Sequence, residues 1–207
     1  MRIKVLLLFI QQFMIMSMIM AQNSDLDAQF AHELKEKCSG VKSIECKFIQ
    51  TRSASVLARD VDKRGRYYFL QPYNVLLAFE DEDYIKITST MFEIKQNGRV
   101  NATKVSSNPM LKSLNRMLAA CISGDASQIT SGFETEITAN DDEFALRLLP
   151  LRGRTNKKTP EIQLVFNRKD MSLKTMKMME ASGDFLQYKF YEVKYNIDVA
   201  PSLFDIQ

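Results

Sequence analysis

Residues 44–51, with the sequence IECKFIQT, carry the pattern that decides the fold. Cys46 and Phe48 lie on one face of this stretch, and Glu45 and Lys47 lie on the other. Alternation with a period of two is typical of a β-strand that buries one face and exposes the other. Antiparallel sheets commonly contain such half-buried strands, because one face packs on the core while the other meets water. The stretch therefore predicts one strand of an antiparallel sheet.

Further short stretches with strand character follow along the chain, separated by turn-forming residues. Turns are predicted at residues 60–65, Gln71-Pro72, 80–83 and Asn97-Gly98, and Asn-Gly is a strong two-residue hairpin pair. Strands at this spacing favour an antiparallel meander. The further strands are predicted at residues 66–70, 75–79, 84–90, 92–96, 134–138, 143–149, 161–167, 173–180 and 185–191.

Two segments have helical rather than strand periodicity. Residues 24–38 place apolar side chains four positions apart, and Gly40 suits the end of that helix. Residues 110–122 form a second helix that Gly124 ends, and a short turn is expected at 125–129. The second helix has one broad apolar face, which consists of Met110, Leu111, Leu114, Met117, Leu118, Cys121 and Ile122.

These elements predict an α+β protein in which about ten short antiparallel strands form one large sheet. A sheet of this many strands curls or closes, and its concave face needs something to fill it. The helix at 110–122 is the candidate, because it is inserted between strands. It either plugs a barrel permanently, acts as a lid or is a plain core helix, and periodicity alone leaves these alternatives open.

The candidate interior residues have large side chains that are aromatic or flexible and apolar. Methionine in particular fills irregular space and suits a surface that accepts a variable apolar ligand. A methionine-rich composition gives the same pattern without any ligand. The candidate residues are Phe48, Tyr67, Phe69, Leu77, Phe79, Met110 and Met117.

The N-terminus has the features of a secretory signal peptide. Arg2 and Lys4 precede an uncharged apolar stretch at residues 5–20, and Ala21 provides a small residue for cleavage. A membrane anchor is the alternative, but the stretch is interrupted by glutamine and serine, whereas a spanning helix needs about 20 apolar residues. We therefore expect residues 1–21 to be a signal peptide cleaved near Ala21, and residues 22–207 to form a single domain outside the cytoplasm.

Composition and charge exclude several classes of function. Without Arg2 and Lys4 the chain has 26 basic and 25 acidic residues, so its net charge of +1 gives no electrostatic reason to bind nucleic acid. A single histidine, His32, excludes mechanisms that need two, and its place on the first helix indicates a surface position. No GxSxG, HExxH, P-loop or GxGxxG motif occurs. We expect a binding or carrier protein that is not an enzyme and needs no metal or cofactor.

The three cysteines leave two alternatives open. Cys38 and Cys46 lie eight positions apart and could form a disulfide across Gly40, which would leave Cys121 unpaired. Alternatively, all three are buried thiols that pack as small apolar side chains. No CxxC pair occurs, which disfavours a redox enzyme.

Several local motifs resemble those of one protein family when they are taken in order. In this order and spacing they resemble the LolA-type periplasmic carriers of outer-membrane lipoproteins, over nearly the whole chain after residue 21. The motifs are Phe48-Ile-Gln50 in the first strand, Gly65 to Pro72 as a glycine, strand and proline segment, a strand ending in Leu148-Leu-Pro150, Gly183-Asp184 before a strand, and Asn196-Ile197 with Phe204 at the end.

The resemblance implies an unclosed, curved antiparallel β-barrel of about ten or eleven strands, with helices covering its concave face. It also implies a cavity for lipoprotein acyl chains, an inner-membrane ABC-type release complex, an outer-membrane acceptor and a monomeric carrier. The cavity and lid residues implied are Phe48, Tyr67, Phe69, Gln71, Val75, Leu77, Phe79, Met110, Leu114, Met117 and Leu118.

One position departs from the pattern of this family. Gln71 stands where the family commonly has an arginine that ties lid carbonyls in the empty state, and an amide donates without charge. This difference and the absence of tryptophan leave two other functions open, namely a carrier of a non-protein lipid, glycolipid or pigment lipid, and a ligand-free envelope sensor or scaffold.

Overall fold

The computed structural model describes residues 25–107, 117–151 and 161–206. The predicted signal peptide at 1–21 lies outside the described residues, as do Met110 and Leu114 of the predicted lid. No described helix is both long enough and apolar enough to cross a lipid bilayer.

The described chain forms one unclosed antiparallel sheet of 11 strands, as the strand pattern and the family resemblance predict. The order across the sheet is β6-β5-β4-β3-β2-β1-β11-β10-β9-β8-β7. The strands are β1 Ser43–Ser53, β2 Val61–Leu70, β3 Asn74–Phe79, β4 Tyr84–Ile87, β5 Met91–Gln96, β6 Arg99–Lys104, β7 Phe133–Ala139, β8 Glu143–Pro150, β9 Glu161–Asn167, β10 Leu173–Met179 and β11 Phe185–Tyr195.

The sheet consists of two meanders that are joined at their first and last strands. Strands β1 to β6 run outward in one direction, and β11 back to β7 run outward in the other. The central pair is β1 with β11, in which Phe48 lies opposite Phe190. The two outermost strands, β6 and β7, are consecutive in the chain but are not paired with each other, so the barrel stays open between them.

Helices cover the concave face of this sheet. Helix α1 spans residues 25–38 and buries the side chains of Phe30, Leu34 and Cys38, which are four positions apart. The Phe30 ring makes edge-to-face contacts with Phe144 and Phe166, at centroid distances of 5.5 and 5.2 Å. These contacts place α1 over β8 and β9.

Two further helices follow β6. The described part of helix α2 is residues 117–123, and it is buried at every position except Ser123. Helix α3, Ala126–Thr130, occupies the predicted short turn, and its N-cap Asp125 accepts a hydrogen bond from the backbone N–H of Gln128. A helix that is buried on all sides lies within the apolar interior of the protein, and the described part of α2 belongs to the same apolar cluster as the strands.

A C-terminal strap covers part of the convex face. Val199 and Phe204, the latter in the 3₁₀ turn Pro201–Phe204, pack on Leu76 of β3 as a small second apolar cluster. The strap is fixed at one end by Asn196, whose Oδ1 accepts from the backbone N–H of Lys42 at 2.7 Å. At the other end, Lys86 Nζ donates to the backbone carbonyl of Asp205 at 2.6 Å.

Several predicted element boundaries were wrong, among them those of one turn and one strand between residues 60 and 90. The turn predicted at 60–65 is instead strand, because β2 begins at Val61 and continues through Gly65. The strand predicted at 84–90 ends at Ile87, because the Thr88 hydroxyl accepts a hydrogen bond from the backbone N–H of Met91 and forms a turn. By contrast, Asn97 and Gly98 have φ values of 51° and 75°, which the predicted Asn-Gly hairpin requires.

We expect Asp83→Asn to lower the melting temperature at pH 7. The Asp83 carboxylate accepts from Lys63 Nζ at 2.9 Å and from the backbone N–H of Asn97 at 2.9 Å, and these bonds hold its pKa below the usual value. A lowered folded-state pKa stabilises the protein above the unfolded-state pKa, and this contribution is lost as pH falls. The difference in melting temperature should therefore shrink below about pH 4. Asp141→Asn, at an exposed turn, is the control and should change little at either pH.

Candidate functional site

The predicted interior residues of the sheet lie together on its concave face. Phe48, Tyr67, Phe69, Val75 and Leu77 are buried members of one apolar cluster, and Phe79 packs against it half buried. Met117 and Leu118 of α2 are buried in the same cluster. The structure therefore brings together the described apolar residues of the predicted site.

A small cavity remains where α1, α2, β1 and β11 meet. Its volume is about 50 Å³. Among the described residues of the predicted cavity and lid, Tyr67 and Leu118 contact it. The described residues that line it are Cys38, Val41, Ile44, Cys46, Tyr67, Leu118, Cys121, Ile122, Met171, Ser172, Leu173, Phe190, Val193 and Tyr195.

The cavity is too small for a long acyl chain. An engineered apolar cavity that takes up benzene has a volume of about 150 Å³, which is larger than the 50 Å³ found here. An acyl chain therefore fits only if the side chains or helices around the cavity move apart. The described structure is thus a closed form of the interior.

Three free thiols contact this cavity. Cys38, Cys46 and Cys121 are buried free thiols in this structure, which corresponds to the second of the two alternatives that the sequence leaves open. Burial raises the pKa of the Cys38 thiol to about 11 and that of Cys46 to about 12, and it raises the pKa of Cys121 as well. The thiols are therefore protonated and unreactive at neutral pH while the interior is closed.

Two tyrosines supply polar groups at the cavity wall. Burial raises the pKa of both Tyr67 and Tyr195 above the usual range, so both phenols are neutral at physiological pH. Tyr195 and Ser172, which lies just before β10, both line the cavity. The wall thus carries neutral polar groups and no ionised side chain among the described residues, which suits an apolar occupant.

The C-terminal end of α2 packs closely against α1 at Gly124. A Cβ atom at Gly124 would lie 2.9 Å from Lys35 Cα and 3.0 Å from the backbone oxygen of Leu34. Gly124 also has a φ of +80°, a conformation that glycine adopts at helix ends. Only glycine therefore allows α2 to close onto the last turn of α1, beside the cavity.

We expect Gly124→Ala to loosen α2 from α1 without unfolding the sheet. The added methyl group would contact the α1 backbone, so α2 would move outward and expose the thiol of Cys121. Labelling with a maleimide reagent should become at least about fivefold faster, since a thiol is reactive only when solvent can reach it.

Gly132→Ala is the matched control for this prediction. Gly132 has a similar φ of +90°, but a Cβ atom there would meet no atom within 4 Å. Its substitution introduces the same backbone strain without the contact to α1. Equal labelling rates in the two variants would refute the role of Gly124 as a close contact between the helices.

Gln71 contacts the segment between α1 and β1. Its Nε2 donates to the backbone oxygen of Val41 at 2.7 Å, and its backbone N–H donates to the Lys42 oxygen at 2.9 Å. Val41 lines the cavity. Gln71 therefore holds the rim of the cavity, and no hydrogen bond joins it to the described part of the predicted lid.

Sequence reasoning missed most of the residues that line the cavity. Ile44 and Cys46 carry the alternation that was recognised in β1, and Phe190 continues the equivalent alternation in β11. Met171, however, lies in a loop with a φ of 54°, and no sequence pattern predicts this conformation. No group of three or more His, Cys, Asp or Glu among the described residues is placed to hold a metal ion.

The chain is similar to several solved structures at low sequence identity. MucB has a TM-score of 0.50 and 12% identity over 90% of this chain, which spans 63% of the MucB chain. The LolA superfamily protein NE2245 from Nitrosomonas europaea has a TM-score of 0.43 and 11% identity over 86% of this chain and 97% of its own. A putative outer membrane lipoprotein-sorting protein domain from Vibrio parahaemolyticus has a TM-score of 0.46 and 11% identity, over 86% of this chain and 95% of its own.

At these identities the MucB likeness supports the fold alone, and no curated protein matches the chain. A family model, unlike these solved structures, identifies the family of the chain. The model described as outer membrane lipoprotein carrier protein LolA matches residues 39–207, which is most of the chain and includes all 11 strands. The chain therefore belongs to the LolA family of outer membrane lipoprotein carriers.

Proposed function

We propose that this protein is a periplasmic carrier that encloses lipoprotein acyl chains between α2 and the concave face of the sheet. The observation that carries the proposal is the closed apolar interior, in which α2 is buried from Met117 to Ile122 beside a cavity without ionised groups. The family consists of lipoprotein carriers, and the apolar acyl chains of a lipoprotein suit this apolar interior.

The energetics of such transport require both burial and opening. Each methylene group removed from water contributes about 0.8 kcal/mol, so acyl chains do not cross an aqueous space unshielded. Because the closed cavity is small, acyl chains enter by displacing α2. The contacts that α2 makes in the empty protein are lost at that step and partly offset the energy of acyl-chain burial. This offset makes release to an acceptor possible.

We propose the direction of transport by analogy with the family. Residues 1–21 direct export and are removed near Ala21, and the remaining chain then moves through the periplasm. An inner-membrane ABC-type complex loads the carrier with lipoprotein, and an outer-membrane acceptor receives the cargo. The carrier acts as a monomer and catalyses no reaction.

A binding experiment with matched cargo tests this function. Purified protein lacking residues 1–21 is mixed with a detergent-solubilised acylated lipoprotein, or with the same polypeptide in which the acylated cysteine is replaced by serine. We expect co-elution in size-exclusion chromatography with the acylated form only. Equal binding of both forms, or binding of neither, would contradict the proposal.

Mass spectrometry of lipid extracts from the purified protein distinguishes the alternative cargoes. Recovery of acylated peptides is the expected result. Recovery of a glycolipid or pigment lipid, with no acylated peptide, would instead identify a carrier of a non-protein lipid. Failure to bind any lipid would favour a sensor or scaffold.

A further inference from the structure

Strand β6, Arg99–Lys104, is an edge of the sheet that is open to solvent. All six of its residues are exposed, so neither of its faces is covered. Among the described residues it pairs with β5 alone. One whole side of its backbone is therefore available to another strand.

The hydrogen-bond pattern shows which backbone groups face the open side. Val105 N–H donates to the Thr90 oxygen at 2.8 Å, just past the end of the β5–β6 pair. Hydrogen-bonded and non-hydrogen-bonded pairs alternate in an antiparallel ladder. The pairing register then assigns the hydrogen-bonded positions of β6 to Arg99, Asn101 and Thr103.

The remaining positions of β6 present their backbone outward. The N–H and C=O groups of Val100, Ala102 and Lys104 point away from β5. These three residues offer a row of donors and acceptors that is evenly spaced at every second residue. A strand added here would pair with them without disturbing the bonds to β5.

The centre of strand β6 lacks the features that normally protect an edge. Natural edges carry prolines, bulges or charged side chains within the strand, but the four central residues of β6 are Val100-Asn101-Ala102-Thr103. The opposite edge, β7, carries the exposed residues Glu134 and Glu136. The two edges of the open barrel therefore differ, and β6 is the unprotected one.

The charges on β6 select the kind of strand that fits. Arg99 and Lys104 stand at its two ends, and neither forms an ion pair with a described acidic residue. The strand contains no acidic residue. Opposite charges at the ends of an incoming strand would be favourable, whereas like charges would repel it.

We propose that β6 binds an extended, acidic segment of the cargo lipoprotein as an added strand. This inference rests on the proposed carrier function. The acyl chains occupy the concave side, while the polypeptide attached to them remains outside. Because no described strand closes the sheet between β6 and β7, the polypeptide leaves across one of these edges. The unprotected, basic β6 edge receives it by β-augmentation.

Ala102→Pro tests the backbone contact directly. Proline removes an N–H group that faces outward, and it leaves every β5–β6 hydrogen bond in place. Ala102→Ser keeps the N–H group and is the matched control. We expect Ala102→Pro to weaken binding of an acylated lipoprotein with an acidic segment about tenfold, and Ala102→Ser to change it less than about twofold. Unchanged binding by Ala102→Pro would overturn the proposal.

An unacylated peptide separates this inference from the carrier function. The peptide has a Val-Thr centre and a glutamate at each end, and a second peptide has lysine in place of glutamate. Amide hydrogen exchange at Val100, Ala102 and Lys104 should slow with the glutamate peptide only, and Ala102→Pro should abolish the slowing. This result needs no acyl chain, so it stands if lipoprotein binding fails.

Two further results would overturn the proposal. Equal protection by both peptides would show that the edge does not select an acidic segment. Loss of a dimer in Ala102→Pro, detected by sedimentation, would show that β6 binds a second copy of this chain instead.

Discussion

Gly65→Ala is expected to lower the free energy of unfolding by about 3 kcal/mol or more, at the upper end for an overpacked core. A Cβ atom at Gly65 would lie 2.2 Å from the backbone oxygen of Ala78 and 2.7 Å from Cζ of Phe48. The first of these atoms belongs to the backbone of β3, so a change of side-chain rotamer cannot move it away. The β2–β3 pair therefore has to separate before the methyl group fits.

The loss extends beyond the glycine because Phe48 is central to the core. Gly65 lies opposite Phe48 on β1. Because glycine has no side chain, the Phe48 ring occupies the space beside it. That ring contacts Phe79 and Tyr188 edge to face, at 5.2 and 5.9 Å between centroids. Displacing it disturbs aromatic packing on three strands, and this is why we expect a large effect.

Chemical and thermal unfolding measure this prediction. A loss of about 3 kcal/mol corresponds to a melting temperature lowered by about 6–12 °C for a domain of this size. Gly40→Ala is the control, because nothing lies within 4 Å of its added Cβ atom and its φ is not positive. If the two variants have the same melting temperature, the close packing at Gly65 is refuted.

Gly65 also shows where sequence reasoning fails. A glycine next to charged residues predicts a turn, because glycine tolerates conformations that other residues avoid. In this chain the glycine sits in the middle of β2 and makes room for an aromatic ring from β1. That role depends on a contact between strands, which no local pattern encodes.

Strands with one buried face were predictable, and a strand with none was not. The alternation in residues 161–167 gave the bounds of β9, because Ile162, Leu164 and Phe166 are buried while their neighbours are not. Strand β6 is exposed throughout and has no such alternation. Only the Asn97-Gly98 hairpin implied that a strand follows.

The interior was predictable as a whole, but the cavity within it was not. Alternation identifies residues that face inward, and it placed Phe48, Phe69 and Leu77 in the core. Which part of a core stays unfilled depends on the volumes of side chains from distant elements. Here the gap lies between Cys38 of α1 and Tyr195 of β11, which meet only in the folded chain.

Leu118→Glu is expected to weaken acyl-chain uptake by tenfold to a hundredfold, or about 1.4–2.8 kcal/mol. Leu118 lies on α2 and lines the cavity, so its replacement puts a carboxylate against the bound chain. An unpaired charge in such surroundings costs several kcal/mol, and part of this cost is avoided when the group becomes protonated. Uptake of a fluorescent acyl lipopeptide measures the effect.

Ser123→Glu is the matched control, because it adds the same charge to the exposed end of the same helix. It should leave uptake within about twofold of the unsubstituted protein, as surface changes have small effects. A loss as large as that of Leu118→Glu would show that charge on α2, and not charge in the cavity, is responsible. Circular dichroism checks that both variants remain folded.

The dependence on pH distinguishes a buried charge from a misfolded variant. Burial against an acyl chain raises the pKa of the new carboxyl group, so its neutral form becomes predominant as pH falls. Uptake by Leu118→Glu should therefore recover towards pH 5, whereas Leu118→Gln should bind with the same reduced affinity at both pH values. If uptake by Leu118→Glu stays equally low at pH 5 and pH 8 in a folded protein, Leu118 does not face the acyl chain.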